Sequence, residues 1–362
     1  MDKKYEITNE ITYFDERTLH RIRALKDFGD VKKGDLGGFV EKDFNLGQEG
    51  NAWIYDNAKV CDNATITGDA IIKDNAIIRD DTKVCGNATV CDFAIIRDFS
   101  VIGGNANVYG EAIVYDNALV IDNAYVGGKA KVFEFAVIQQ SAKIEGRARI
   151  FEHAVVGDDA IVKDCASIKG HAIIVGSAQI FENANVADRA NVCGNAKVYG
   201  LSSIEDYAVV KDNAEVYDYS KVKQGSVIKD FGKVSICQVV SGGITKTDLS
   251  KDLATSIRVQ CNLPVINNKV IAYKLVRPDF TSFYDENFKY EIGKIAEAEE
   301  CDMTDESCAA GLHFSNITYW EREIEDKDFI CLEAEIDLND VITVQSGKIR
   351  CKRAKILRAF TF

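Results

Sequence analysis

Residues 58–69 read Ala-Lys-Val-Cys-Asp-Asn-Ala-Thr-Ile-Thr-Gly-Asp, two copies of one six-residue unit. Stepping by six from Ile54 to Val240 gives 32 positions, and every one is Val or Ile. Two places before each, from Ala52 to Ser226, lie 30 positions. Of these, 25 are Ala and the rest are Thr82, Ser100, Ser202, Ser220 and Ser226. No insertion breaks the count. A register held this long is a repeat architecture. The aliphatic residue points inward, and Ala fits because a larger side chain would overpack a narrow prism. Between them comes Asp or Gly, then often Asn, residues that tolerate the backbone angles of tight corners. Short strands joined by a corner every six residues wrap into a coil.

This pattern resembles the left-handed parallel β-helix of hexapeptide-repeat proteins, in which three hexads close one triangular coil. The resemblance implies an all-β solenoid of ten to eleven triangular coils in which residues 18 apart stack, roughly 4.8 Å from one another. The left hand rests on the resemblance, since crossover connections are usually right-handed. One departure concerns the residue after the aliphatic. The family favours Gly there, whereas Tyr, Cys, Lys, Arg and Phe are common here.

Outside the repeat, residues 1–50 hold no hexad register. They combine an alternating start (Tyr5, Ile7), a charged amphipathic run (Thr18 to Asp27) and a glycine turn with Gly34, Gly37 and Gly38. A stacked solenoid ends in an open strand edge, so this segment is expected to be an N-terminal cap. Domains are expected at 1–50 (cap), 51–240 (β-helix), 241–261 (linker, from Ser241-Gly242-Gly243) and 262–362 (a small α+β domain). In the last, strands are expected at Val270–Val276, Ile330–Ile336, Val341–Val344 and Lys348–Leu357, with a helix near Thr318–Glu325. The motif RTLHRIRALKDFGDVKKGDLGGFVEKDFNL, running into GNAWIYDNAKV, is similar to hexapeptide-repeat proteins of bacteriophages and prophages. The pattern VIAYKLV…GLHFS…EAEI…KIRCKRAKIL is similar to an uncharacterised phage-associated domain. Gly311–Ser315 together with Tyr273–Arg277 resembles the strand and Gly-aromatic-Ser arrangement of ADP-ribosyl-transferring folds. No clear catalytic Glu motif accompanies it, and activity in the C-terminal domain is the third reading, after the binding and acyltransferase ones.

The formal charge is -13 and the pI about 5.0. The acidity is spread along the chain, which favours solubility and disfavours nucleic acid as a main partner. The start, MDKKYEITNE, has no apolar core for a signal peptide, and no apolar run is long enough to span a bilayer. The expected compartment is therefore the cytosol of a bacterial host, with the 11 cysteines reduced and no membrane partner.

Stacking by eighteens lets the outer surface be read in columns. One corner carries Asp62, Asp80, Asp98, Asp116, Glu134 and Glu152, carboxylates that would repel one another by about 1 kcal/mol per pair. The same corner carries Tyr115, Phe133 and Phe151, then Phe135, His153 and His171 one column on. Tyr115, Phe133, Phe135 and Phe151 are expected to form a ligand or interface corner, or else a structural ladder. The face that follows carries Val101, Leu119, Val137, Val155 and Ile173. This aliphatic stripe is the expected interface of a homo-oligomer, a trimer or a dimer. In the family's acyltransferases a histidine acts as general base beside acyl-CoA, so His153 or His171, with Glu152 to orient it, is the catalytic candidate. Against that role, no loop interrupts the hexads. Cys301, Cys308 and His313, with Asp302 and Asp305, are weak metal candidates in an unusual spacing. Lys348, Arg350 and Lys352 would place three cations on one strand face, read first as solvated and second as an anion site.

The expected function is a non-catalytic, oligomeric binding or scaffold protein of phage or prophage type, acting on a host protein or sequestering a small ligand. The alternative is an acyl-CoA-dependent acyltransferase. No cofactor is expected except acyl-CoA under that alternative.

Overall fold

The computed structural model describes residues 3–361 except 236, 250, 299, 302–309 and 322–327. From Trp53–Ile54 to Ile244–Thr245 the chain forms 33 short strands, three per coil, hence 11 coils of a left-handed parallel β-solenoid. Every Val or Ile of the hexad register has no exposed surface, and neither has any Ala two places before it. A buried aliphatic side chain of this size contributes about 1.5–3 kcal/mol. The chain divides into two compact units, Met1–Gly200 and Leu201–Phe362.

In the first unit, strands 18 residues apart pair in parallel, as Val137↔Val155 and Ile138↔Val156 do. The residue two places after each inward aliphatic sits in the left-handed region, for example Asp62 (φ 57), Asp98 (φ 64), Glu134 (φ 57) and Glu152 (φ 58). That conformation is what the Asp, Gly and Asn of each corner accommodate. The corner carboxylates have a second task. Their Oδ atoms accept the backbone N–H of the matching residue on the next coil: Asp80 N to Asp62 at 3.3 Å, Asp98 N to Asp80 at 3.1 Å, and Glu134 N to Asp116 at 3.1 Å. Charge-assisted bonds of this kind offset the like-charge repulsion expected along the column.

The cap is a three-stranded addition to one face. Strands β1 (Tyr5–Phe14) and β2 (Arg17–Ala24) form an antiparallel hairpin. Strand β3 (Leu36–Val40) pairs antiparallel with β2 and parallel with Lys59–Val60. Gly37 and Gly38, expected in a turn, lie instead within β3. A Cβ there would meet Ile54 O at 2.5 Å and Ala58 O at 2.6 Å, so the backbone approach of cap to coil requires glycine. Lys4, 1% exposed, donates to the Ala52 carbonyl at 3.0 Å and closes the polar edge of the first coil.

In the second unit the hexad rule ends with a one-residue slip. Val227 pairs with Ile244, 17 residues on, so that Thr245 takes the inward position. Residues 241–261, expected as a linker, carry this last strand and helix α1 (Leu253–Cys261). Asp252 caps α1 by accepting the Thr255 N–H at 3.0 Å, and Ile257 and Cys261 enter the C-terminal core. That core lies within a five-stranded sheet of order Val265–Ile266, Lys269–Val276, Ile330–Asp337, Arg353–Phe360, Ile295–Glu297, and a three-stranded sheet of order Leu312–Phe314, Lys348–Cys351, Val341–Gln345. The single strand expected over Lys348–Leu357 breaks at Lys352, and its halves join different sheets. The helix expected near Thr318–Glu325 is present over Ile317–Glu321, and the rest of that segment lies outside the described residues.

Candidate functional site

The corner singled out from sequence is a set of parallel ladders. Tyr115, Phe133 and Phe151 stack with centroids 4.9 and 4.8 Å apart and planes within 5°. Both faces of Phe133 are thereby covered, and only 7% of the residue is exposed. Arg97 lies 4.4 Å from the Tyr115 centroid, and Arg149 lies 5.7 and 5.2 Å from those of Phe133 and Phe151. Each offset or parallel pair adds about 0.5–1.5 kcal/mol beyond its buried area. The facing sides of these rings cover one another. Burial is the first cause raising the Tyr115 phenol above its ordinary value.

One column further along the corner, Phe135, His153 and His171 form a second stack, with centroids 5.0 and 4.8 Å apart. These rings are exposed, as is Phe99 on the same column. The six-residue period brings the two histidines together as their 18-residue spacing implied. Among the described residues neither imidazole hydrogen-bonds to a carboxylate, that of Glu152 included. The adjoining face carries Val101, Leu119, Val137 and Val155, half-buried, and Ile173, 41% exposed. All five point outward in one parallel ladder. A shorter aliphatic column, Ile77, Ile95 and Ile113, lies on another face and was not singled out from sequence.

Of the metal candidates, Cys301 is half-buried and Cys308 lies outside the described residues, as do Asp302 and Asp305. Among the described residues, donor atoms of Asp74, Cys91 and Asp92 come within 4.8 Å of one another. These carboxylates already serve the corner ladder: Asp74 accepts the Asp92 N–H at 3.2 Å and Asp92 accepts the Gly110 N–H at 2.8 Å. Burial raises the Cys91 thiol, which disfavours the thiolate a metal needs.

In the C-terminal unit the expected row of solvated cations is corrected. Arg350 is 2% exposed and pairs in register with His313, while Lys352 is exposed outside the strand. His313 is held down to about 4, by burial first and then by Lys274, Lys348 and Arg350. Lys274 itself is 3% exposed.

No family model matches the chain. A stretch of 75 residues is 39% identical to the uncharacterized acetyltransferase YdcK of Escherichia coli. The match covers 18% of this chain and 23% of that protein, so the chain spans about a quarter of the length of this relative. Together with the coil geometry, it fits a hexapeptide-repeat protein. No helix among the described residues is long and apolar enough to cross a membrane.

Proposed function

We propose that the solenoid is a non-catalytic, self-associating binding module whose outer stripe seats a second copy of the chain. The observation that carries this is the ladder Val101, Leu119, Val137, Val155, Ile173, an uncharged aliphatic column over five successive coils beside exposed Phe99 and Phe135. A flat face with a regular spacing meets its own copy with ridges and grooves matched, which is the self-complementarity a symmetric interface needs. The uninterrupted hexads favour the same reading, because no inserted loop builds an acceptor pocket on the coils. The likeness of the N-terminal motif to phage and prophage proteins supports a role toward a host protein or a small ligand in the bacterial cytosol. Light scattering on the full chain tests self-association. A mass that is a multiple of 40.0 kDa supports it, and a monomer mass counts against it.

The partial likeness to an acetyltransferase supports a second reading at least as well. In it His153 or His171 takes a proton from an acceptor hydroxyl or amine, the acceptor attacks the thioester carbonyl of acyl-CoA, and the C–S bond breaks to release CoA, which takes up that proton as the thiol. The exposed, stacked imidazoles are reachable from solvent, as that role requires. Calorimetric titration with acetyl-CoA separates the two readings. Binding that disappears in both His153→Ala and His171→Ala supports transfer, and no binding at millimolar acetyl-CoA removes it.

A further inference from the structure

The C-terminal unit holds a cavity of about 430 Å³, inside the roughly 300–1,000 Å³ range of small-molecule sites. Lys274, on the strand Lys269–Val276, lies in its wall and is 3% exposed. Its ammonium carries three donors and makes one hydrogen bond among the described residues, to the His313 carbonyl at 3.3 Å. The rings of Tyr284, Tyr290 and Trp320 stand around it, with centroids 5.8, 5.8 and 5.9 Å from Nζ. Burying an ammonium is costly unless a counter-ion replaces its water, and aromatic faces replace only part of it. No ion pair to Lys274 exists among the described residues. A second cation, Lys348, lines the same cavity, and the two carboxylates of the lining, Asp285 and Glu300, are exposed to water. Burial first, and then Lys348, pushes the Lys274 ammonium down to about 8. In a chain of formal charge -13, this wall brings two lysines to one cavity.

We propose that this cavity binds an organic phosphate carrying a planar ring, with the phosphate against Lys274 and Lys348 and the ring along the aromatic wall. A phosphate monoester carries about -1.5 to -2 at pH 7, which matches two ammonium groups better than a single carboxylate does. The cavity exceeds what an inorganic ion fills, and the aromatic side chains give the remaining volume a surface suited to stacking. The ligand supplies a counter-charge to Lys274, which has no ion pair among the described residues.

The test is calorimetric titration of the full chain with AMP, ribose 5-phosphate and inorganic phosphate, on wild type, Lys274→Met and Lys348→Gln. The expected result is that AMP binds, at least about tenfold tighter than ribose 5-phosphate, and that each variant weakens AMP about tenfold or more. Lys274→Met is further expected to keep or raise the melting temperature, because it removes a buried charge with no counter-ion. If Lys274→Met fails to fold, Lys348→Gln and the comparison of the three probes still decide the matter. Absence of binding by AMP and phosphate at millimolar concentration overturns the proposal. Ribose 5-phosphate binding as tightly as AMP overturns the ring assignment. Unchanged AMP affinity in Lys348→Gln with a lowered melting temperature in Lys274→Met marks the lysine as structural and overturns it too.

Discussion

The Asp98 carboxylate accepts the backbone N–H of Asp116, one coil further along, at 3.1 Å. Asp98 itself sits at φ 64, so one residue supplies both the corner conformation and a bond between coils. Asp98→Gly keeps the conformation and loses the acceptor. Asp98→Ala loses both, along with the 3.0 Å contact to Arg97, and is expected to cost about 1.5–3 kcal/mol in urea unfolding. Asp98→Asn keeps an oxygen acceptor and is expected to cost the least. Equal losses for Asn and Ala would show that the bond between coils contributes nothing.

Val132 points into the prism with no exposed surface, while its neighbour Lys131 is exposed on a strand face. Val132→Asp buries a carboxylate without a partner and is expected to abolish soluble folded protein. Lys131→Asp is expected to leave the melting temperature nearly unchanged. Comparable melting temperatures for the two would contradict the inward register.

Thr82 occupies one of the inward small-residue positions, fully buried, and its hydroxyl has no partner among the described residues. Ser100, in the same role, donates to the Arg97 carbonyl at 2.8 Å. Thr82→Ala restores the residue of the repeat and removes an unsatisfied hydroxyl, so it is expected to stabilise by about 1 kcal/mol. Ser100→Ala is expected to gain less or to lose. A destabilised Thr82→Ala in thermal unfolding would mean that its methyl packing outweighs the stranded hydroxyl.

His313 gives the C-terminal unit an acid sensitivity. Its folded value of about 4 lies below its ordinary 6.5, so between these values the unfolded chain binds more protons than the folded one. Stability is therefore full above pH 6.5 and is lost as pH falls toward 4. His313→Gln should flatten this dependence, measured by unfolding at pH 7, 5.5 and 4.5. A wild-type curve parallel to that of the variant would show that the imidazole is not held neutral by burial and the facing cations.

The interior of the solenoid was legible residue by residue, because a period of six fixes which side chains face inward and the prism admits only small and aliphatic ones. The corner histidines stack as their spacing implied for the same reason. The carboxylate column was half legible. The charges were visible, but the N–H groups they accept belong to the backbone, which no side-chain pattern reports. Gly37 and Gly38 resemble a turn in sequence, yet they serve a close backbone approach that depends on a distant strand. The end of the register was hidden by a single-residue slip at Ile244, and α1 was obscured by the glycines at 242 and 243. Arg350 is a polar letter in an alternating strand and reads as solvent-facing, and the burial of Lys274 is not legible in the sequence. Lys274 is covered by His313 from the second sheet and by the loop carrying Tyr284 and Tyr290, the former a contact of large sequence separation.

The claim that the stripe Val101–Ile173 is the face through which copies associate is tested most directly by sedimentation equilibrium on wild type, Val137→Lys and Lys131→Glu. The first substitution places a charge at the centre of the stripe and the second alters a different face of the same coils. Wild type and Lys131→Glu are expected to sediment as an oligomer and Val137→Lys as a monomer, with all three equally folded. An unchanged mass for Val137→Lys, or dissociation by Lys131→Glu alone, would contradict the claim.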